Sequence, residues 1–114
     1  MPYIAVNTSE KLSEDQKEKI KAEFGRIITI IPTKTEATTL VDFSDSRTMY
    51  MGGVNVSGAF IELRLWHTYE VEFKKRFTEE TFEMLSRELG LKKENMYLNI
   101  VELDDWGSGG TYKS

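Results

Sequence analysis

Apolar and polar residues change rhythm several times along this chain, and each rhythm predicts a different element. Tyr3, Ile4, Ala5 and Val6 form a short, nearly continuous apolar run between Pro2 and Thr8, the pattern of a buried central strand. Polar residues end it. Ser13-Glu14-Asp15-Gln16 then reads as a capping box, in which a serine hydroxyl and a glutamine side chain satisfy free backbone donors at a helix start. Behind the cap, Ile20, Phe24, Ile27, Ile28 and Ile31 recur at helical spacing, while Lys17, Glu18, Lys19, Lys21 and Glu23 take the other faces. Pro32 stops this helix by disfavouring the helical conformation at the residue before it. Thr38 to Phe43, rich in β-branched residues, predicts a second strand.

A turn-rich segment with Gly52 and Gly53 follows, and then the period changes to two. Ala59, Ile61, Leu63 and Leu65 share one side, and Phe60, Glu62, Arg64 and Trp66 share the other, so a strand with one dry and one mixed face is expected. Phe73, Phe77, Met84, Leu85 and Leu89 mark a second helix, which begins either near Tyr69 or at Thr78 and is capped by Gly90. His67 falls at the strand end. Met96 to Leu103 reads as a last strand, and the tail Gly107-Ser108-Gly109-Gly110 as too glycine-rich for regular structure.

The halves, about 1–53 and 54–114, are thus both strand, helix, strand. They predict a single α/β domain with a four-stranded mixed sheet and both helices on one face. The other sheet face is left without cover, and self-association is the simplest way to bury it.

Composition narrows the chemistry. The chain has 114 residues, 39% hydrophobic and 30% charged, which suits one small globular domain. A net charge of -4 argues against a nucleic-acid binder. With no cysteine and only His67, neither a disulfide framework, a thiolate nucleophile nor a histidine-rich metal site is available, and no metal or cofactor is expected. No apolar window approaches the ~20 residues of a membrane span, so no membrane partner is expected. The N-terminus lacks a leader pattern, which makes a cytoplasmic address the expectation, with secretion by a leaderless route as the remaining option. Lys74-Lys75-Arg76 reads as a solvated helix face among acidic neighbours, and adjacent Asp104 and Asp105 cannot form a carboxylate pair on a strand.

Pro2 stands directly behind Met1, a start that cells routinely trim. Trimming leaves a secondary amine; otherwise Pro2 is merely tolerated at position two. An α-amino group titrates near ~8, and an apolar pocket with a neighbouring cation lowers that value into the range where an amine shuttles protons.

Met1-Pro2-Tyr3-Ile4 leading into Val6-Asn7-Thr8, Pro32-Thr33-Lys34 before the second strand, Met51-Gly52-Gly53, and Glu94-Asn95-Met96-Tyr97-Leu98-Asn99 together resemble the tautomerase superfamily, and within it the macrophage migration inhibitory factor (MIF)-like group. The resemblance covers essentially the whole chain. It implies a homotrimer of duplicated strand-helix-strand units and keto-enol tautomerisation of phenylpyruvate-like α-keto acids, with Pro2 as the base. By the same resemblance Lys34 binds the substrate carboxylate and helps keep the proline neutral. Tyr97 and Asn99 are similar to a tyrosine and an asparagine that approach the proline of a neighbouring subunit.

The chain also departs from the pattern. Trp66 stands where the animal cytokines carry an isoleucine, and either narrows the pocket or stacks on an aromatic substrate. The tail after Trp106-Gly107 lacks the usual aromatic and asparagine, which leaves Trp106 and Tyr112 as candidate substitutes for one pocket wall. The cytokines' Cys-x-x-Cys is replaced by Gly58-Ala59-Phe60-Ile61, so thiol oxidoreductase chemistry is excluded. No arginine stands beside the first strand or in the lysine loop, so the dehalogenase and hydratase chemistry of related bacterial enzymes is disfavoured. The alternative to an enzyme is a cytokine-like interaction protein on the same scaffold with a vestigial pocket and a receptor partner that the sequence leaves unnamed.

Overall fold

A computed structural model describes residues 1–114. In chain order the elements are β1 (Tyr3–Thr8), α1 (Glu14–Ile27), β2 (Leu40–Ser44), β3 (Tyr50–Met51), β4 (Val54–Asn55), β5 (Ala59–Trp66), α2 (Val71–Leu89), β6 (Met96–Leu103), β7 (Trp106–Ser108) and β8 (Thr111–Lys113). The main sheet has the order β2-β1-β5-β6. Its outer pairs are parallel, and the central pair β1 and β5 is antiparallel, with Tyr3 opposite Arg64 and Thr8 opposite Ala59. The sheet is therefore mixed, and each parallel pair is joined through a helix, as two strand-helix-strand units require.

Both helices pack on one face. Ile4, Val6, Ile61, Leu63 and Leu65 from the sheet meet Ile20, Phe24 and Ile27 of α1 and Phe77, Met84 and Leu85 of α2, all fully buried. The Phe24 and Phe77 rings stack at 6.5 Å across the helix pair. The opposite face carries Tyr3, Asn7, Asp42, Glu62, Arg64 and Asn99 together with half-exposed Phe60 and exposed Tyr97, and no helix covers it.

The capping box at α1 forms with both bonds, Ser13 Oγ accepting from the Gln16 amide at 3.1 Å and Gln16 Oε1 from the Ser13 amide at 2.9 Å. Helix α2 starts at Val71, close to Tyr69 rather than Thr78. No side chain of its own turn caps it; the Glu102 carboxylate of β6 accepts from the Tyr69 amide at 2.7 Å instead. Thr78 lies inside the helix, bonded back to the Lys74 carbonyl. Gly90 ends α2 at φ 66°, the left-handed cap that glycine adopts cheaply.

Two expectations need correction. The second strand begins at Leu40, not Thr38, because Glu36–Thr38 winds into a short 3-10 turn. Thr39 Oγ1 donates to the Thr35 carbonyl there, a local bond that competes with the ladder. The tail is regular: β7 and β8 pair across a two-residue turn, Gly109 and Gly110, at φ 59° and 81°. A two-residue turn of this type needs both residues in the left-handed region, which glycine supplies. Gly52 and Gly53 make the same turn between β3 and β4. A small Gly-Gly hairpin thus follows the last main-sheet strand of each unit.

No helix is long and apolar enough to cross a membrane.

Candidate active site

Because β1 lies inside the sheet, between β2 and β5, the chain begins among neighbouring strands rather than at an edge. The Leu40 amide donates to the Pro2 carbonyl at 3.1 Å and fixes the buried Pro2. A cavity of about 650 Å³ opens there, lined by Met1, Pro2, Tyr3, Ala37, Thr38, Leu40, Arg64, Leu103, Trp106, Gly107 and Ser108.

Lys34 enters from the loop behind α1. Its amide donates to the Ile31 carbonyl at 3.1 Å, closing a turn with Pro32 second and Thr33 third. Thr33 has φ 70°, a conformation that glycine or asparagine usually fills and that strains a β-branched residue. Lys34 is not among the lining residues, yet its side chain acts on the free amine of Met1. Burial first, then hydrogen bonding and charge from Lys34, pull that amine from its ordinary 8.0 to about 5. With Met1 attached, the Pro2 nitrogen is an amide and has no basicity. Removal of Met1 would move the free amine one residue inward, onto Pro2.

Arg64 is the residue that linear reading missed. No arginine is near β1 in sequence, but the antiparallel register sets Arg64 opposite Tyr3, and it lines the cavity with Pro2. It pairs with Glu62 at 3.5 Å and stays half-exposed. The signal was present in the mixed face of β5, and only the pairing of β5 with β1 gives it meaning. On the same face, Tyr3 donates its hydroxyl to Asp42 at 2.7 Å, and that bond raises the phenol above its usual range.

The structure brings Pro2 and Trp106 to one cavity, with Lys34 at the terminal amine. It does not bring the other candidates there within one chain. Trp66 follows Arg64 on the open face, but its indole donates to the Asp104 carbonyl at 2.9 Å and stacks on His67, outside the lining. Tyr112 is exposed on β8 and donates to Asp105 at 2.6 Å. Tyr97 is 60% exposed on β6 and stands opposite Phe60, toward the other end of the sheet, with Asn99 two residues on. His67 is at the end of β5, at φ 82°.

No known family's sequence profile matches the chain, and no curated protein matches it in sequence. Solved structures do match its shape. MIF2 of Leishmania major superposes with a TM-score of 0.92 at 22% identity, over 98% of this chain and 97% of its own. Its fold is that of the MIF-like tautomerases. The macrophage migration inhibitory factor of Trichinella spiralis gives 0.80 at 25% identity, covering 96% of this chain and 98% of that one. The likeness extends across the superfamily: N1, a member of the cis-3-chloroacrylic acid dehalogenase family, gives 0.84 at 12% identity over 98% of this chain and 83% of that one. Within this fold, the cavity beside Pro2 is formed by the sheet end and the C-terminal hairpin of the same chain.

Proposed function

We propose that the protein is a keto-enol tautomerase of phenylpyruvate-like α-keto acids, with the Pro2 amine, freed by loss of Met1, as general base and acid. The observation that carries this reading is the site at the chain start: burial and Lys34 hold the Met1 amine, directly ahead of Pro2, well below its ordinary range, beside a cavity lined by Pro2 and Arg64. A neutral secondary amine takes the proton from the carbon next to the ketone and leaves an enolate. The same nitrogen, now protonated, delivers that proton to oxygen to give the enol. General acid-base transfer of this kind contributes about 10²- to 10⁴-fold. Lys34 and Arg64 supply the positive charge that an α-keto acid's carboxylate needs.

The assembly belongs to the same proposal. Strand β6 has an unpaired outer edge, and Tyr97 and Asn99 point from it onto the uncovered face. In a homotrimer they would meet the Pro2 cavity of a neighbouring copy, where a phenol hydroxyl and a carboxamide can orient the carbonyl end of the substrate.

The test is intact mass paired with phenylpyruvate ketonisation on one sample. Loss of Met1 with turnover that alkylation of the amine abolishes supports the enzyme. A Pro2→Gly variant that keeps full turnover would falsify the proline mechanism. A correctly trimmed trimer without turnover that binds a defined protein partner would transfer the reading to a cytokine-like interaction protein.

A further inference from the structure

Lys34 is half-buried, and none of the chain's ion pairs involves it. Its ammonium lies 5.2 Å from the centroid of the Tyr69 ring, within the ~6 Å over which a ring face attracts a cation. The ring is held from two sides. Its hydroxyl donates to the Trp66 carbonyl at 3.3 Å, and its amide donates to Glu102, which also accepts from Lys74 at 2.9 Å. Burial alone would raise the Glu102 carboxyl, but the bonds from Lys74 and the Tyr69 amide hold it below its usual range, so it stays charged as an anchor.

We infer that Tyr69 is a positioning residue for Lys34: its ring face is the seat that keeps the ammonium beside the terminal amine and available to a substrate carboxylate. This rests on the tautomerase reading only for its second part. A lysine stem is flexible, and an ammonium without an ion-pair partner would otherwise extend into solvent. A carboxylate seat would hold it but neutralise its field. A ring face holds it and leaves the charge uncompensated. Backbone strain falls on both sides of the contact: Thr33, next to Lys34, and His67, two residues before Tyr69, both have positive φ. Such backbone persists only where the surroundings over-determine it.

The charged groups that face the amine are Lys34, from the loop after α1, and Arg64, on β5 and paired with Glu62. Tyr3 adds a phenol bonded to Asp42, while β2, β6 and the C-terminal hairpin contribute Leu40, Leu103, Trp106 and Ser108, none of which titrates.

The experiment compares Tyr69→Leu, Tyr69→Phe and Lys34→Met, alone and as Tyr69→Leu with Lys34→Met, in protein that retains Met1 and in protein whose Met1 is removed. Two readouts are taken: the pH dependence of alkylation at the terminal amine of the Met1-bearing chain, and kcat and KM for phenylpyruvate in the trimmed one. Tyr69→Leu is expected to move the amine titration upward by about half to one pH unit and to raise KM about three- to tenfold. Tyr69→Phe, which keeps the ring face, restores the wild-type titration. In the Lys34→Met background Tyr69→Leu should do nothing further to the amine. An unchanged titration in Tyr69→Leu, or a full effect persisting without Lys34, overturns the inference. If Tyr69→Leu does not fold, Tyr69→Met removes the ring with a flexible side chain and is read by the same criteria. Absence of turnover in every variant would sink the tautomerase reading, and the amine titration would still decide the seat.

Discussion

Replacing Lys34 by methionine keeps a long apolar stem and removes the ammonium. In the Met1-bearing chain, three influences of one sign bring the terminal amine from 8.0 to about 5: burial, the largest, then the hydrogen bond and the charge of Lys34. As the largest of three, burial retains at least a third of the effect. The Lys34→Met amine should therefore titrate above its present value but no higher than about 7. At pH 6 the free-base fraction would fall from about 0.9 to as little as about 0.1, so amine acylation, followed by intact mass and referenced to pH 9, slows by up to about tenfold. A titration unchanged from wild type would show that Lys34 does not act on the amine. One that returned fully to the ordinary value would show that burial does not.

The same amine makes folding pH-dependent. Its folded value lies below its unfolded one, so as pH falls from 8 toward 5 the unfolded chain takes up the proton first; the stability it contributes is complete above pH 8 and is lost across that window. At a partly solvated terminus screening reduces this to about 1 kcal/mol, measurable as a melting-temperature loss that an N-acetylated sample lacks. Arg64→Met should raise KM for the α-keto acid about tenfold while thermal stability changes by under about 1 kcal/mol, since its pair with Glu62 is half-exposed; an unchanged KM would remove Arg64 from the site. Gly58→Ala drives a methyl group into the Asn95 carbonyl, and denaturant unfolding should register a loss of about 1–3 kcal/mol. A variant as stable as wild type would mean that the approach to β6 is looser than the packing implies.

The elements that were legible in the chain were those set by local rules. The alternation from Ala59 to Leu65 and the stripe through Ile20 and Phe24 report burial directly, and Ser13 with Gln16 reports a cap. The tail was misread because glycine was weighed as flexibility. The pair Gly109-Gly110 repeats Gly52-Gly53, and in both places its role is a left-handed turn between short strands. Of the candidate site, Pro2 was legible from its place behind Met1, and its association with Lys34 through the resemblance. Arg64 required knowledge that β5 runs antiparallel to β1, and Tyr69 read only as a possible helix start. The shared face of Tyr97 and Asn99 follows from their spacing, but what that face meets is encoded in no intrachain pattern.

The central antiparallel pair gives the duplication an inequality of its own. β1 and β5 occupy equivalent places, and the entry to each lies at opposite ends of the sheet. At the entry to β5 the chain passes through Gly58, whose amide donates to Ser9 Oγ and whose carbonyl accepts from Thr8 Oγ1 and the Ser9 amide. That end is stitched shut. The entry to β1 instead holds Met1 and Pro2, beside the cavity. The two units share one polypeptide and so one α-amino group, and the stoichiometry is one amine for every two units. Three assembled copies would hold six units and three amines, and any extension ahead of Met1 would silence one amine in each chain it is fused to.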